Sequence, residues 1–159
     1  MGVDETAIAE SFTDAIDLET GHYYGKGYEY RLTQVRNDPE AARRRFTLLR
    51  GNLARAQRLL TLARPKTERQ RYRIRLWQWA HDVLLHFAEF GPQVLAEPGT
   101  HDVAQLRRYR KAAVTLSGRT EKLLRPLLTD RTIEGEQRTR FGVHLDYIDE
   151  TIAAAKENS

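Results

Sequence analysis

The sequence predicts an all-α protein: an antiparallel bundle of about four long helices, with a short N-terminal helix and a flexible Tyr/Gly-rich arm. Three observations predict it. Apolar residues recur three and four apart over long stretches, the spacing of one helical face. Those stretches carry local start and stop signals and are joined by connections of a few residues, which favours antiparallel neighbours. The one short stretch of strict alternation, RQRYRIR at 69–75, has no second strand to pair with. With 159 residues, 40% hydrophobic and 30% charged, the chain has the size and composition of one globular domain.

The first helix is expected from about Asp4 to Leu18, with Val3, Ala7, Ile8, Phe12, Ala15 and Ile16 along one side. Residues 19–31, ETGHYYGKGYEYR, hold three glycines and four tyrosines in 13 positions and read as an adaptable arm. Residues 1–37 are therefore expected as acidic helix plus arm, and 38–159 as the bundle. Asp38 before Pro39 is an N-cap followed by proline at the first helical position. That helix runs to about Arg64, where Pro65 stops it. Its seam is Ala42, Phe46, Leu49, Leu53, Ala56, Leu60 and Ala63, a bundle-type spacing.

Thr67 and Gln70 have the spacing of a capping box, so RQRYRIR begins a helix rather than a strand. Its seam is Leu76, Ala80, Val83, Phe87 and Phe90, and Gly91-Pro92 is expected to end it. PQVLAEPGT, residues 92–100, is the connector. A third helix spans about Asp102 to Leu128, with Leu106, Tyr109, Ala113, Leu116, Leu123 and Leu127 on one stripe. Gly118 and Pro126 predict a break near 117–119 or a kink before 126. The last helix spans about Ile133 to Lys156, its stripe being Phe141, Leu145, Ile148, Ile152 and Ala155.

Charge is unevenly spread. Residues 1–22 carry six acids and no lysine or arginine, whereas residues 23–131 carry 23 basic and ten acidic residues, and residues 132–159 return to acid excess. Arginine far outnumbers lysine, and the guanidinium fork suits bidentate phosphate recognition. Three helices carry this basic charge in their N-terminal halves: Arg43 to Arg45, Arg69 to Arg75, and Arg107, Arg108, Arg110 and Lys111. Helix stability alone would place acids there, and a helix N-terminus flanked by cations suits a phosphate.

The candidate phosphate contacts are Arg43, Arg50, Arg58, Arg64, Lys66, Arg69, Arg71, Arg73, Arg75, Arg107, Arg108 and Lys111. Arg43, Arg50 and Arg58 form a stripe among Thr47, Gly51, Ala54 and Thr61, whose small size lets a backbone approach. By helical projection Arg69 and Arg73 continue the core-facing line, which makes them the sharper candidates of their cluster. Tyr23, Tyr24, Tyr28 and Tyr30 are candidates for stacking or for packing on a neighbour. Leu48, Leu59 and Leu62 on the first long helix, and Trp77 and Leu85 on the second, lie off the main seams with Ile74 and His81. They are candidates for a subunit interface or for the centre of the bundle.

Several chemistries have no sequence support. There is no Gly-rich phosphate loop and no paired-histidine metal motif, and no cofactor is expected. Asp82, His86 and Glu89 share one helix face, which is a solvated row more often than a metal site. Zero cysteines exclude disulfide and thiolate chemistry. No apolar run is long enough to span a membrane. The acidic start MGVDETAIAE lacks a secretory pattern, so an intracellular or virion location is expected. Its Gly2 and Thr6 match the short myristoylation pattern in an acidic context that opposes anionic lipid.

Two resemblances follow from these residues. Arg75 and His81, six apart on a helix, resemble the arginine–histidine motif of HEPN ribonucleases, with Leu76 where that family has a polar residue. The resemblance implies RNA cleavage by that pair. The basic helix pair 39–64 and 67–90, joined by Arg64-Pro65-Lys66-Thr67 and preceded by an arm, resembles the helical capsid proteins of filamentous archaeal DNA viruses. This implies a non-enzymatic, self-assembling subunit that coats double-stranded DNA. The acidic first helix departs from that family's basic arm and suits packing on a neighbour instead. A protein-interaction module meeting an acidic partner is the third reading.

Overall fold

Asp38 opens the first long helix as the sequence predicts. Its carboxylate accepts a hydrogen bond from the Ala41 amide at 2.9 Å, and Pro39 follows at the first helical position. In the computed structural model this helix, α1, spans Pro39–Leu62; α2 spans Glu68–Val94, α3 Val103–Leu124, α4 Asp130–Glu136 and α5 Val143–Glu157. A π-helical turn, Gln137–Gly142, joins α4 to α5. The structure describes residues 6–8, 10, 33, 35–97 and 100–157, the side chains of 136, 139 and 140 excepted. No strand occurs among them, and the chain is an all-α helical bundle.

The chain divides into two compact units, residues 1–25 with 38–89, and residues 26–37 with 90–159. In the first, Leu49, Leu53, Ala56 and Leu60 of α1 bury against Ala88 and Ile8, with Leu59, Ile74, Trp77, Ala80, Leu84 and Leu85 packed around them. Thr6, Ala7, Ile8 and Glu10 are helical, and Ile8 is 1% exposed. The other residues expected in the first helix and the arm, including Tyr23, Tyr24, Tyr28 and Tyr30, lie outside the described residues. In the second unit Phe90, Val94, Leu106, Ile148 and Ile152 form the core, with Val35, Val103, Tyr109 and Tyr147 against it. Phe90 makes edge contacts with Tyr109, His144 and Tyr147.

The capping box at the start of α2 is reciprocal. The Gln70 amide donates to Thr67 Oγ1 at 3.2 Å, and Gln70 Oε1 accepts from the Thr67 and Lys66 amides at 3.3 and 2.8 Å. Gln70→Ala removes the acceptor of both amides and is expected to cost about 1 kcal/mol. A lowered urea midpoint with an unchanged slope is the measurement that checks it.

Several expectations are corrected. Gly91-Pro92 does not end α2, which continues to Val94 with Pro92 inside. Proline there forfeits one hydrogen bond near the helix end, while the added turn buries Val94 beside Phe90. α3 runs unbroken through Gly118, because Leu116 and Thr120 on either side are both buried. It ends at Leu124, ahead of Pro126, so Leu127 is not on its apolar stripe but 56% exposed. The last helix is not continuous. Eight residues from Ile133 to Phe141 would drift by about 80° on an α-helix, and the wider π turn lets both be buried, at 4% and 1% exposure.

A further correction concerns Arg69 and Arg73. Neither faces the core; both are exposed. The α1–α2 core starts at Leu60 and Ile74, and the last residues of α1, Thr61 and Leu62, are exposed. The buried line of α2 also differs from the expected seam. Leu76, Ala80 and Phe87 are half-buried, whereas His81, His86 and Ala88 are buried.

Burial pushes the His86 imidazole down to about 4. The unfolded chain takes up this proton near pH 6.5, the fold only near 4, so acid favours unfolding across that window. Stability is full above about pH 6.5, falls toward 4 and stops falling below it, a total of about 3 kcal/mol. Unfolding midpoints measured from pH 7 to pH 4 are expected to lose this component in His86→Leu.

Candidate nucleic-acid interface

The spacing of α1's buried residues fixes which way its arginines point. With Ala42, Leu49, Leu53, Ala56 and Leu60 inward, Arg43, Arg44, Arg45, Arg50, Arg55 and Arg58 are all exposed. Glu40 is the helix's only carboxylate. It lies 3.5 Å from Arg44, with both side chains largely in solvent, where such a pair is worth little.

Arg43, Arg50 and Arg58 follow one flank, separated by about 10 and 12 Å of helical rise. The threonines among them turn back on the helix: Thr47 donates to the Arg43 carbonyl at 3.0 Å and Thr61 to the Gln57 carbonyl at 2.8 Å. At Gly51 an added Cβ would meet open space. Arg58 Nε donates to the Ala54 carbonyl at 3.4 Å, a contact that involves neither terminal nitrogen. The flank therefore offers three guanidinium groups above a surface of small side chains. Another flank carries Leu48 and Leu62, 56% and 68% exposed, with Arg55 midway between them. Leu59, Trp77 and Leu85 pack instead against the core of this unit.

The cations around the α1–α2 turn divide by what they already hold. Arg64 folds back onto the end of α1, its guanidinium donating to the Thr61 and Ala63 carbonyls at 2.9 and 3.0 Å. It is a C-terminal cap. Arg71 is engaged by Glu68 at 2.6 Å, and the contact holds the Glu68 carboxyl below its usual range and raises Arg71. Arg75 lies over the Tyr72 ring, 5.6 Å from its centre, a cation–π contact. Arg73 lines a shallow groove with Leu76, Trp77, Trp79 and Ala80. Lys66 and Arg69 are exposed, and among the described residues no carboxylate pairs with either.

In the second unit Arg107, Arg108 and Lys111 are exposed on α3. Their neighbour Arg110 is bound to Asp149 of α5 by two hydrogen bonds, at 2.6 and 2.9 Å. This holds the Asp149 carboxyl below its usual range.

Arg75 and His81 do not meet on one surface. His81 is 5% exposed, and its Nδ1 lies 3.1 Å from Asp82. Asp82 also accepts from Gln78 at 3.1 Å, and Gln78 donates to Gln57 of α1 at 3.3 Å. Six positions of helix separate the pair by about 9 Å and roughly 120°. Among the described residues no group of His, Asp and Glu side chains could hold a metal ion.

The projection did not single out Arg45 and Arg55, which extend the basic surface of α1; their charge was legible but their exposure needed the observed seam. It also missed a groove of about 600 Å³ lined by Ser117 of α3, Ile133 of α4 and Gln137 and Phe141 of the π turn. No sequence signal marks a π turn in advance.

The fold and this surface define a class: an all-α protein with an arginine-covered helix. No family model, curated protein or solved structure matches the chain. No helix among the described residues is long and apolar enough to cross a membrane.

Proposed function

We propose that this chain is a non-enzymatic structural protein that binds double-stranded DNA through its phosphates and self-assembles on it as a capsid-like coat. One observation carries the reading: α1 presents six exposed arginines over 24 residues against a single, weakly paired glutamate. Arg43, Arg50 and Arg58 would lie along successive phosphates, with Lys66 and Arg69 extending the contact at the hairpin end. Contacts to phosphate position a protein without reading sequence. Exposed Leu48 and Leu62 on the other flank of α1 suit contact with a second subunit bound alongside on the same duplex.

Fluorescence anisotropy with unrelated duplexes of equal length tests this. Equal affinities are expected, with log K falling linearly against log salt at a slope of about −0.9 per phosphate neutralised. Absence of binding at low salt would sink the proposal, as would a strong preference for one duplex. Electron microscopy of the protein with long duplex DNA separates a continuous coat from isolated particles.

A further inference from the structure

We infer that copies of this chain associate through two different faces of the second unit, the outer face of α3 on one copy docking on the outer face of α5 on the next. The inference rests on the self-assembling half of the reading above and not on its nucleic-acid half.

On α3, Ala104, Arg108, Lys111, Thr115, Gly118 and Lys122 are all exposed and recur at alternating intervals of four and three. This line lies opposite the buried one, Leu106, Ala113 and Leu116. On α5, Val143, Asp146, Glu150, Ala153 and Glu157 are all exposed at intervals of three and four, opposite the buried Ile148, Ile152 and Ala155. Such spacing keeps two helices in contact over several turns.

The two lines have opposite charge. The only ionisable residues on the α3 line are cations, and the only ones on the α5 line are carboxylates. Among the described residues none of these charges is in an ion pair. Their lengths also agree: Lys111 to Lys122 and Asp146 to Glu157 are both eleven positions, about 16 Å of rise. Whichever way the helices run, Lys111 and Lys122 come opposite Asp146 and Glu157. Between the charges stand small residues, and Gly118 has open space where a Cβ would sit, so the helices can approach closely.

The two lines cannot meet within one chain. α3 and α5 already pack against each other, Arg110 is bound to Asp149, and each line points away from its own helix's buried side. The mate of each is therefore on another copy. Unlike faces meeting in this way make a heterologous contact, which propagates along a filament unless its rotation closes a ring. Arg108 and Lys111 are thereby assigned to subunit contact rather than to phosphate.

Sedimentation velocity of the full chain at low salt, without nucleic acid, tests this. Wild type is expected to form species larger than 18.4 kDa that grow with concentration and dissociate near 1 M salt. Lys111→Glu/Lys122→Glu and Asp146→Lys/Glu157→Lys are each expected to sediment as monomers with unchanged far-ultraviolet dichroism. An equimolar mixture of the two variants restores assembly, because each supplies the complement of the other's altered face. A monomeric wild type, assembly by either variant alone at wild-type strength, or a mixture that stays monomeric overturns the inference. Affinity for a short duplex is measured separately at about 0.15 M salt, where a Debye length of about 8 Å screens charges off the contact surface, and with Lys111 reassigned to subunit contact it is expected within about threefold of wild type for both variants. Loss of duplex affinity in Lys111→Glu/Lys122→Glu at unchanged mass would return α3 to the phosphate contacts and overturn the assignment. Failure of wild type to bind duplex while it still assembles would leave the subunit contact standing and remove the coat.

Discussion

Replacing Arg43, Arg50 and Arg58 together by glutamine is expected to weaken duplex DNA binding by about 500-fold at about 0.1 M salt, the effect of losing three phosphate contacts at a slope of about 0.9 each. Glutamine keeps the length, polarity and helix propensity of the site, so the helix survives and only charge is lost. The plot of log K against log salt should become shallower by about 2.7. Arg71→Gln is the control, because Arg71 is already engaged by Glu68; its effect should stay below about threefold. An unchanged slope in the triple variant would place the contact surface elsewhere.

Phe141→Ala is expected to be the most destabilising single change, costing about 3–5 kcal/mol. The ring is 1% exposed and belongs to the π turn, within the second unit. One side of it borders the groove between α3 and α4, so partial collapse into that space favours the lower end of the range. The midpoint of thermal unfolding should fall by roughly 10 °C. Leu127→Ala, at an exposed position between α3 and α4, should shift stability by less than about 0.5 kcal/mol. Equal effects of the two substitutions would contradict the burial described for Phe141.

What was legible in the sequence was chiefly what is local. Asp38-Pro39 and the Thr67–Gln70 box begin helices through hydrogen bonds made within four residues, so no knowledge of the rest of the chain is needed. The α1 seam was legible for the same reason: a spacing of three and four over six turns leaves one solution. Pro92 and Gly118 are helix-breaking residues, and both sit inside helices because buried neighbours outweigh them. That is a tertiary effect. The π turn goes with the burial of both Ile133 and Phe141, a tertiary outcome that no window of residues reveals.

The candidate site was legible as charge and not as geometry. Arg43, Arg50 and Arg58 share a flank as projected. Arg64 could not be distinguished from them in the sequence, yet it caps its own helix. Arg69 and Arg73 were projected inward because the projection extended the α2 seam past the point where its partner helix offers buried residues.

Considered from the solvent side, α1 is a short polyelectrolyte. Its six guanidinium groups, Arg43 to Arg58, lie along about 22 Å of helix with one carboxylate to balance them, so the folded chain concentrates anions on that surface as the unfolded chain does not. Anions thereby become ligands of the folded state, and each that binds it preferentially raises stability by RT ln(1 + [L]/Kd). The midpoint of unfolding should rise with polyphosphate at fixed ionic strength, and more steeply than with chloride. In Arg43→Gln/Arg50→Gln/Arg58→Gln the two curves should draw together. The surface that holds DNA in the proposed coat would then also make the subunit's own persistence depend on the polyanions around it.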